Sequence, residues 1–135
     1  MRLLPLLALS LAVGIAHAQQ GSFIDVSGNL AYRERIALPP NAEIVIRVLD
    51  TSRADAPAQP LAEKRLIANG AQPPIPFVLT VDRDLVRPGA RITLTADIYR
   101  GRTLLFTTRG IHPVLTNDQP AHADLMLVAV AGRTR

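Results

Sequence analysis

The chain has 135 residues, 15 Lys and Arg against 11 Asp and Glu, a formal net charge of +4 and no cysteine. This length predicts one domain with an apolar core, and the lack of cysteine excludes a disulfide scaffold. Because aromatic residues make up only 4% of the chain and the basic residues are spread singly, the composition argues against a nucleic-acid-binding protein.

The first 18 residues have the pattern of a secretory signal peptide. Arg2 gives a basic start, residues 3–16 are almost continuously apolar, and Ala16-His17-Ala18 fits the small-x-small cleavage rule. The apolar run is shorter than the roughly 20 residues that a transmembrane helix needs. We therefore predict a signal peptide at 1–18, cleaved after Ala18, and an exported, periplasmic domain at 19–135 with no transmembrane span. Without a cysteine, we expect no lipid anchor.

Alternation of apolar and polar residues predicts the first two strands. From Phe23 to Tyr32 the apolar residues fall at every second position, which is the period of a half-buried strand. Gly28 within this strand indicates a bulge or a close backbone approach. The double proline at Pro39-Pro40 ends the strand, and residues 43–49 predict a central second strand.

Two further segments are typical of strands at the edge of a sheet. Residues 61–68 carry the charges of Glu63, Lys64 and Arg65, which discourage strand addition by another molecule. The next strand begins near Pro76, and proline is tolerated on an exposed edge because it cannot donate to a ladder.

The second half of the chain predicts a hairpin and two more strands. Residues 91–99 alternate with Leu94 facing inward and Thr95 outward, and Arg100-Gly101 turns the chain into a strand at 103–107. A short strand is predicted at 111–115. Residues 125–130 form a continuous apolar run, which predicts a strand buried on both faces before a frayed tail at 132–135.

About eight short strands and no amphipathic helix predict a single-domain, all-β fold. The most direct expectation is an antiparallel β-sandwich, Ig-like or transthyretin-like. The cysteine pair and buried tryptophan of true Ig domains are absent from the sequence.

The sequence offers no convincing set of catalytic residues. Asp50 and Asp55 are hard oxygen ligands, but their spacing lacks the acidic alternation and the glycine of a calcium loop. A triad of Ser52, His112 and Asp97 can be drawn, yet no nucleophile elbow surrounds any serine. We therefore predict no catalytic residue, cofactor or metal, and a protein that is not an enzyme.

One set of short motifs is distinctive in combination, and its residues are Tyr32, Arg33, Glu34, Arg35, Pro39, Asp50, Ser52, Arg53, Asp55, Pro76 and Phe77. These motifs resemble the YbaY-type lipoprotein family, which is grouped with the YscW-type lipoprotein chaperones, or pilotins, of type III secretion. The resemblance extends over roughly residues 23–130. The role of these motif residues in the family is unknown, and we expect it to be structural.

The resemblance implies a small β-sandwich of the cell envelope and, for a pilotin, a secretin or another outer-membrane protein as partner. A lipidated pilotin has a cysteine after its signal peptide, whereas this chain has Ala18-Gln19. The resemblance therefore implies a non-enzymatic periplasmic protein that binds another envelope protein, by strand addition at a sheet edge or in an apolar groove. The alternative is a glycan- or lipid-binding sandwich, or a hydrolase acting on envelope material.

Overall fold

The computed structural model describes residues 22–134, which form seven strands and a one-turn 3-10 helix at Arg83–Leu85. The predicted signal peptide lies outside the described residues. No helix within the described part has the length and apolar character needed to cross a bilayer. The strands are β1 (Phe23–Tyr32), β2 (Glu43–Asp50), β3 (Gln59–Ile67), β4 (Ile75–Asp82), β5 (Ile92–Arg100), β6 (Thr103–Thr108) and β7 (Leu125–Thr134).

All seven strands belong to one sheet, in the order β3-β2-β5-β6-β7-β1-β4. Five of the six pairings are antiparallel, and the sixth, between β1 and β7, is parallel. The sheet curls so that its two edge strands, β3 and β4, approach each other. The result is a nearly closed, barrel-like sheet around a single core.

The all-β prediction is confirmed, but the sandwich and its Ig-like or transthyretin-like details are not. A curled sheet buries one face of every strand, as a sandwich does, so the same alternation of residues fits both architectures. The strand predicted at 111–115 is reduced to an isolated bridge between Pro113 and Thr93, which leaves seven strands instead of eight.

The two predicted edge strands are confirmed as the edges of the sheet. β3 pairs only with β2, and β4 pairs only with β1. Pro76 lies on the exposed face of β4, where its missing N–H interrupts no pairing to a second neighbour. Across the remaining gap, Lys64 Nζ of β3 donates to the Val78 carbonyl of β4 at 2.8 Å.

The core lies inside the curled sheet and receives side chains from every strand. On β5 the predicted faces are confirmed, because Leu94 is fully buried while Thr95 is partly exposed. The prediction that β7 is buried on both faces is wrong. Met126 is 40% exposed between the buried Leu125 and Leu127, because the outer face of a single sheet has no second layer over it.

Gly28 marks a close backbone approach, as its position in β1 predicts. A Cβ atom added to Gly28 would lie 1.8 Å from the Ala123 carbonyl oxygen and 2.9 Å from the Phe77 ring. Ser27 N donates to the Ala121 carbonyl, and Ala123 N donates to the Ser27 carbonyl, both at 3.0 Å. The segment before β7 therefore lies directly against β1, where only glycine fits.

The assignment of inner and outer faces can be tested on β5. Leu94→Ala removes buried methyl groups and leaves a cavity, so we expect the free energy of unfolding to fall by about 2–5 kcal/mol in urea denaturation. The matched control, Thr95→Ala on the outer face, should cost less than about 1 kcal/mol. Equal losses for the two variants would contradict the assignment.

Gly28→Ala tests the contact between β1 and the segment before β7. The added methyl group meets a backbone carbonyl that cannot rotate away, so we expect a loss of about 2 kcal/mol or more in the free energy of unfolding. Gly70→Asn is the control, since Gly70 has a φ of 87° but no atom within 4 Å of an added Cβ, and asparagine tolerates this conformation. A Gly28→Ala protein as stable as the control would show that the segment is free to move.

Candidate functional site

Most of the motif residues lie in the loops at the two opposite ends of the curled sheet. One end, here called the Pro39 end, contains residues 33–42, the connection 68–74 and the turn at 100–102. The other, the Ser52 end, contains the loops 51–58, 83–91 and 109–120. Backbone hydrogen bonds join the parts of each end, such as Asn69 N to the Pro40 carbonyl and Thr51 N to the Arg91 carbonyl. The fold therefore places one group of motif residues at the Pro39 end and another at the Ser52 end.

Tyr32 anchors the segment that follows β1 at the Pro39 end. Its ring stacks on Phe106 with 4.2 Å between the ring centroids, and its hydroxyl donates to the Ile36 carbonyl at 2.8 Å. Burial, and then the nearby carboxylate of Glu34, raises the pKa of Tyr32, so the hydroxyl stays protonated as a donor. Leu38 N donates to Gln72 Oε1 at 3.0 Å, which fixes the other end of the segment.

An apolar groove of about 300 Å³ lies beside this anchored segment. Ile36 stands at its rim and is 58% exposed, whereas Leu38 is buried. The groove contains one charged side chain, that of Arg100. Its lining residues are Ile36, Ala37, Leu38, Pro39, Arg100, Leu105, Phe106, Ala129 and Val130.

The Pro39 end carries unpaired positive charge. Arg33, Arg35, Arg100 and Arg102 are exposed, and none of them forms an ion pair with another residue that the structure describes. Glu34 is the acidic residue within the same run. The main chemical features of this end are therefore an apolar groove lined in part by Arg100 and three further exposed arginines in the adjoining segments.

Elsewhere on the sheet, arginines are paired across strands. On the outer face of β3, β2 and β5, Arg47 pairs with Glu63 at 2.8 Å and with Asp97 at 3.3 Å. Arg65 contacts Glu63 at 2.7 Å and also pairs with Glu43. The hydrogen bond from Arg47 is the main reason that the pKa of Glu63 is lowered. These charges hold neighbouring strands together and leave little free charge on this face.

At the Ser52 end, Asp50 is a buried carboxylate that organises the loop after β2. Its Oδ1 accepts from Ser52 N at 2.9 Å, and its Oδ2 accepts from Arg87 Nη2 at 3.0 Å. Hydrogen bonds from the Ser52 side chain and backbone, and then from Arg87, lower the pKa of Asp50 to about 2. Ser52 Oγ in turn accepts from Arg91 N at 2.9 Å, which ties the loop to the start of β5.

The remaining motif residues divide into exposed and core positions. Arg53 and Asp55 are exposed in the loop after β2. Pro76 is exposed on the β4 edge, whereas Phe77 is buried against Gly28. Within residues 22–134, no group of three or more histidine and acidic side chains could hold a metal ion, so Asp50 and Asp55 do not gather one.

Ser52, His112 and Asp97 each have separate partners in the structure. Asp97 lies in the middle of β5, where it accepts from Thr107 Oγ1 at 2.6 Å and pairs with Arg47. His112 Nε2 lies 2.9 Å from the Arg109 carbonyl oxygen. The triad that can be drawn from the sequence therefore does not correspond to a common site.

The structure contains a different serine–histidine–aspartate contact, which the sequence does not predict. Ser27 Oγ lies 3.1 Å from His122 Nδ1, and His122 Nε2 lies 3.4 Å from Asp124 Oδ1. Asp124 Oδ1 also accepts from Asn29 N and Nδ2, and these bonds are the main cause of its lowered pKa. The arrangement fastens the segment before β7 to β1. No sequence signal marks it, because the partners are 95 residues apart.

The comparisons with known proteins agree with this architecture. The family model of the type III secretion system lipoprotein chaperone YscW matches residues 23–127. The chain belongs to the YscW family. The matched range extends from the first residue of β1 into β7, so it includes the loops at both ends of the sheet and the groove residues other than Ala129 and Val130.

Two relatives of this YscW family member are informative. The chain is 42% identical over 106 residues to the uncharacterized lipoprotein YbaY of Escherichia coli (strain K12), a match that spans 78% of this chain but only 55% of that protein. It also resembles a solved structure described as an alternative pilotin from the type II secretion system of Vibrio cholerae. The TM-score is 0.78 at 37% identity, covering 82% of this chain and 99% of the other.

The Asp50 network predicts that this YscW family member loses stability in acid. Because the pKa of Asp50 is about 2 in the fold and near 3.9 in an unfolded chain, its stabilisation is fully present above about pH 4 and is lost as the pH falls towards 2. We expect Asp50→Asn to lower the free energy of unfolding at pH 7 by about 1–2 kcal/mol, since solvent screens the exposed Arg87.

Urea denaturation at pH 7, 4 and 2.5 would measure this difference. The Asp50→Asn protein should lose less stability than the wild type between pH 4 and 2.5, because it lacks the carboxylate that becomes protonated. Asp55→Asn, in the same loop but exposed, should behave like the wild type. If the free energy of unfolding of the wild type rose as the pH fell from 4 to 2.5, the stabilising role assigned to the Asp50 carboxylate would be contradicted.

Proposed function

We propose that this chain is a non-enzymatic, pilotin-like chaperone that binds a secretin-type protein of the cell envelope. The observation that carries the proposal is the apolar groove of the Pro39 end, with Arg100 in its wall and further exposed arginines at the same end. Membership in the YscW family and the likeness to a type II secretion pilotin support the class of partner. The match covers only 55% of YbaY, so the partner and the role are proposed for this domain alone.

The groove is a better docking site than the sheet edges. Strand addition requires an edge whose N–H and C=O groups face free space. Here β3 and β4 face each other, and Lys64 already occupies the Val78 carbonyl between them. The groove instead presents apolar walls and the exposed Ile36 without any such obstruction.

The groove has the form of a site for a short apolar segment of a partner. A helix or a turn with two or three apolar side chains would contact Ile36, Leu105 and Val130. Arg100 in the wall and the other exposed arginines of the Pro39 end favour acidic residues beside those side chains. We therefore propose an amphipathic segment with acidic flanks as the part of the partner that is bound.

The proposal places the protein in the periplasm, after removal of residues 1–18. The relative YbaY is described as a lipoprotein, whereas these 135 residues contain no cysteine. Binding of the partner in the groove needs no acyl chain. We therefore propose that the protein binds its partner, and the proposal does not include transport of the partner by a lipid anchor.

The groove can be tested by a cross-linking pull-down from the cell envelope, followed by mass spectrometry. Ile36→Asp places a carboxylate at the rim of the groove, and we expect recovery of the partner to fall about tenfold, as for a residue central to an interface. Ile67→Asp is the matched control, because Ile67 is 61% exposed at the same end but does not line the groove.

Both substitutions replace an exposed isoleucine, so the fold should be retained, and circular dichroism would verify this. Equal loss of recovery with the two variants would contradict the groove as the site. Recovery of no outer-membrane protein by the wild type would contradict the proposed chaperone function itself.

A further inference from the structure

A second cavity, of about 440 Å³, lies at the Ser52 end, far from the groove. It opens between the loop after β2, the start of β5 and the loop 109–120. This volume is within the range of sites that bind small molecules. Its lining residues are Thr51, Ala54, Arg91, Ile92, Thr93, Ile111, Pro113, Thr116, Asn117 and Gln119.

The walls of this cavity are largely apolar. Ile92 is buried at the base, and Pro113 contributes its ring from the loop 109–120. Ile111 is 83% exposed, more than any other large apolar side chain that the structure describes. Contact between this exposed isoleucine and an apolar ligand would be favourable, because it removes apolar surface of the side chain from water.

The polar groups of the cavity include free donors and no carboxylate. Arg91 uses one guanidinium N–H for the Ser52 carbonyl at 3.2 Å, which leaves the others available. The Gln119 side chain forms no hydrogen bond with another described residue, and Asn117 Nδ2 reaches the Ala90 carbonyl only at 3.4 Å. None of the ten lining residues is acidic. The site therefore favours an anionic acceptor.

The hydroxyl groups in the cavity are already committed to the protein. Thr116 Oγ1 donates to the Ala90 carbonyl at 2.5 Å, and Thr51 Oγ1 donates to the Arg91 carbonyl at 3.1 Å. Thr93 Oγ1 contacts the backbone of His112 at 3.3 Å. The hydroxyl hydrogens are therefore not available to a ligand, and the free donors of the cavity are the Arg91 guanidinium and the Gln119 amide.

The loop that forms one wall is held in a defined shape. The backbone φ angles of Leu115, Asn117 and Asp118 are 71°, 54° and 63°. Residues other than glycine adopt such positive φ angles rarely. Backbone bonds from Leu115 N to the Pro120 carbonyl and from Gln119 N to the Thr116 carbonyl maintain this conformation. The cavity is thus already formed before a ligand binds, so the free-energy cost of ordering the loop on binding is small.

We propose that this cavity binds a small amphiphilic carboxylate, with the carboxylate at Arg91 and Gln119 and the apolar group between Ile92, Ile111 and Pro113. Two sources supply this chemistry: the C-terminal residue of a peptide, and a fatty acid. The proposal is independent of the partner-binding groove, because the two sites share no residue.

Chemical-shift titration of the purified protein with three probes tests the proposal. The probes are decanoate, the peptide acetyl-Ala-Ala-Leu with a free carboxylate, and the same peptide as its amide. Shifts at the cavity residues with decanoate alone identify a fatty acid, and shifts with the acid peptide alone identify a peptide terminus. Both support the proposal. No shifts with either acid, or equal binding of the peptide amide, would overturn it.

Two variants then test the residues that define the site. Arg91→Gln should weaken binding of the effective acid about tenfold or more, as expected for loss of a charge-assisted hydrogen bond. Ile111→Asp should weaken it similarly, and its exposure means that the fold is not at risk. Arg83→Gln is the control, since Arg83 is exposed at the same end but does not line the cavity. Unchanged affinity in both cavity variants would overturn the proposal.

Discussion

The parallel pairing between β1 and β7 is the contact on which the closed shape of the molecule depends. Without it, the sheet would separate into β3-β2-β5-β6-β7 and the antiparallel pair β1-β4. The pairing begins where the Ala123 carbonyl lies against Gly28, and a side chain at that position would block it. One missing Cβ therefore allows residues that are about 95 positions apart to join and enclose the core.

The sequence predicts the strands and their inner faces well, because these depend on local alternation. The faces of β1 and β5 follow from period two, and Pro76 and the charges around Lys64 mark the two edges. The partner of each strand depends instead on distant contacts, so one curled sheet and two packed sheets could not be distinguished. The apolar run at 125–130 predicts a strand buried on both faces, and this prediction is wrong for the same reason. Hydrophobicity alone does not show whether a second layer covers the sheet.

The candidate sites were less accessible to sequence reasoning than the fold. The motif residues Asp50 and Ser52 are two positions apart in the sequence, and their turn chemistry was predictable from short polar side chains. The groove combines Ile36 with Leu105 and Val130, which lie far apart in the chain and belong to no shared pattern. The only local signal was an isoleucine that follows two arginines in a connection otherwise rich in proline and polar residues.

The distribution of charge separates structural arginines from those available for binding. Arg47 and Arg65 connect three strands through acidic neighbours, and Arg87 completes the shell around Asp50. Removing any of these loses a contact to a neighbouring strand or loop, which costs about 1 kcal/mol or less for such solvent-accessible pairs. The exposed arginines of the Pro39 end form no ion pair with a carboxylate among the described residues, so their charge contributes little to stability. Their charge is therefore free to attract another molecule, and the sheet behind them keeps the groove in place.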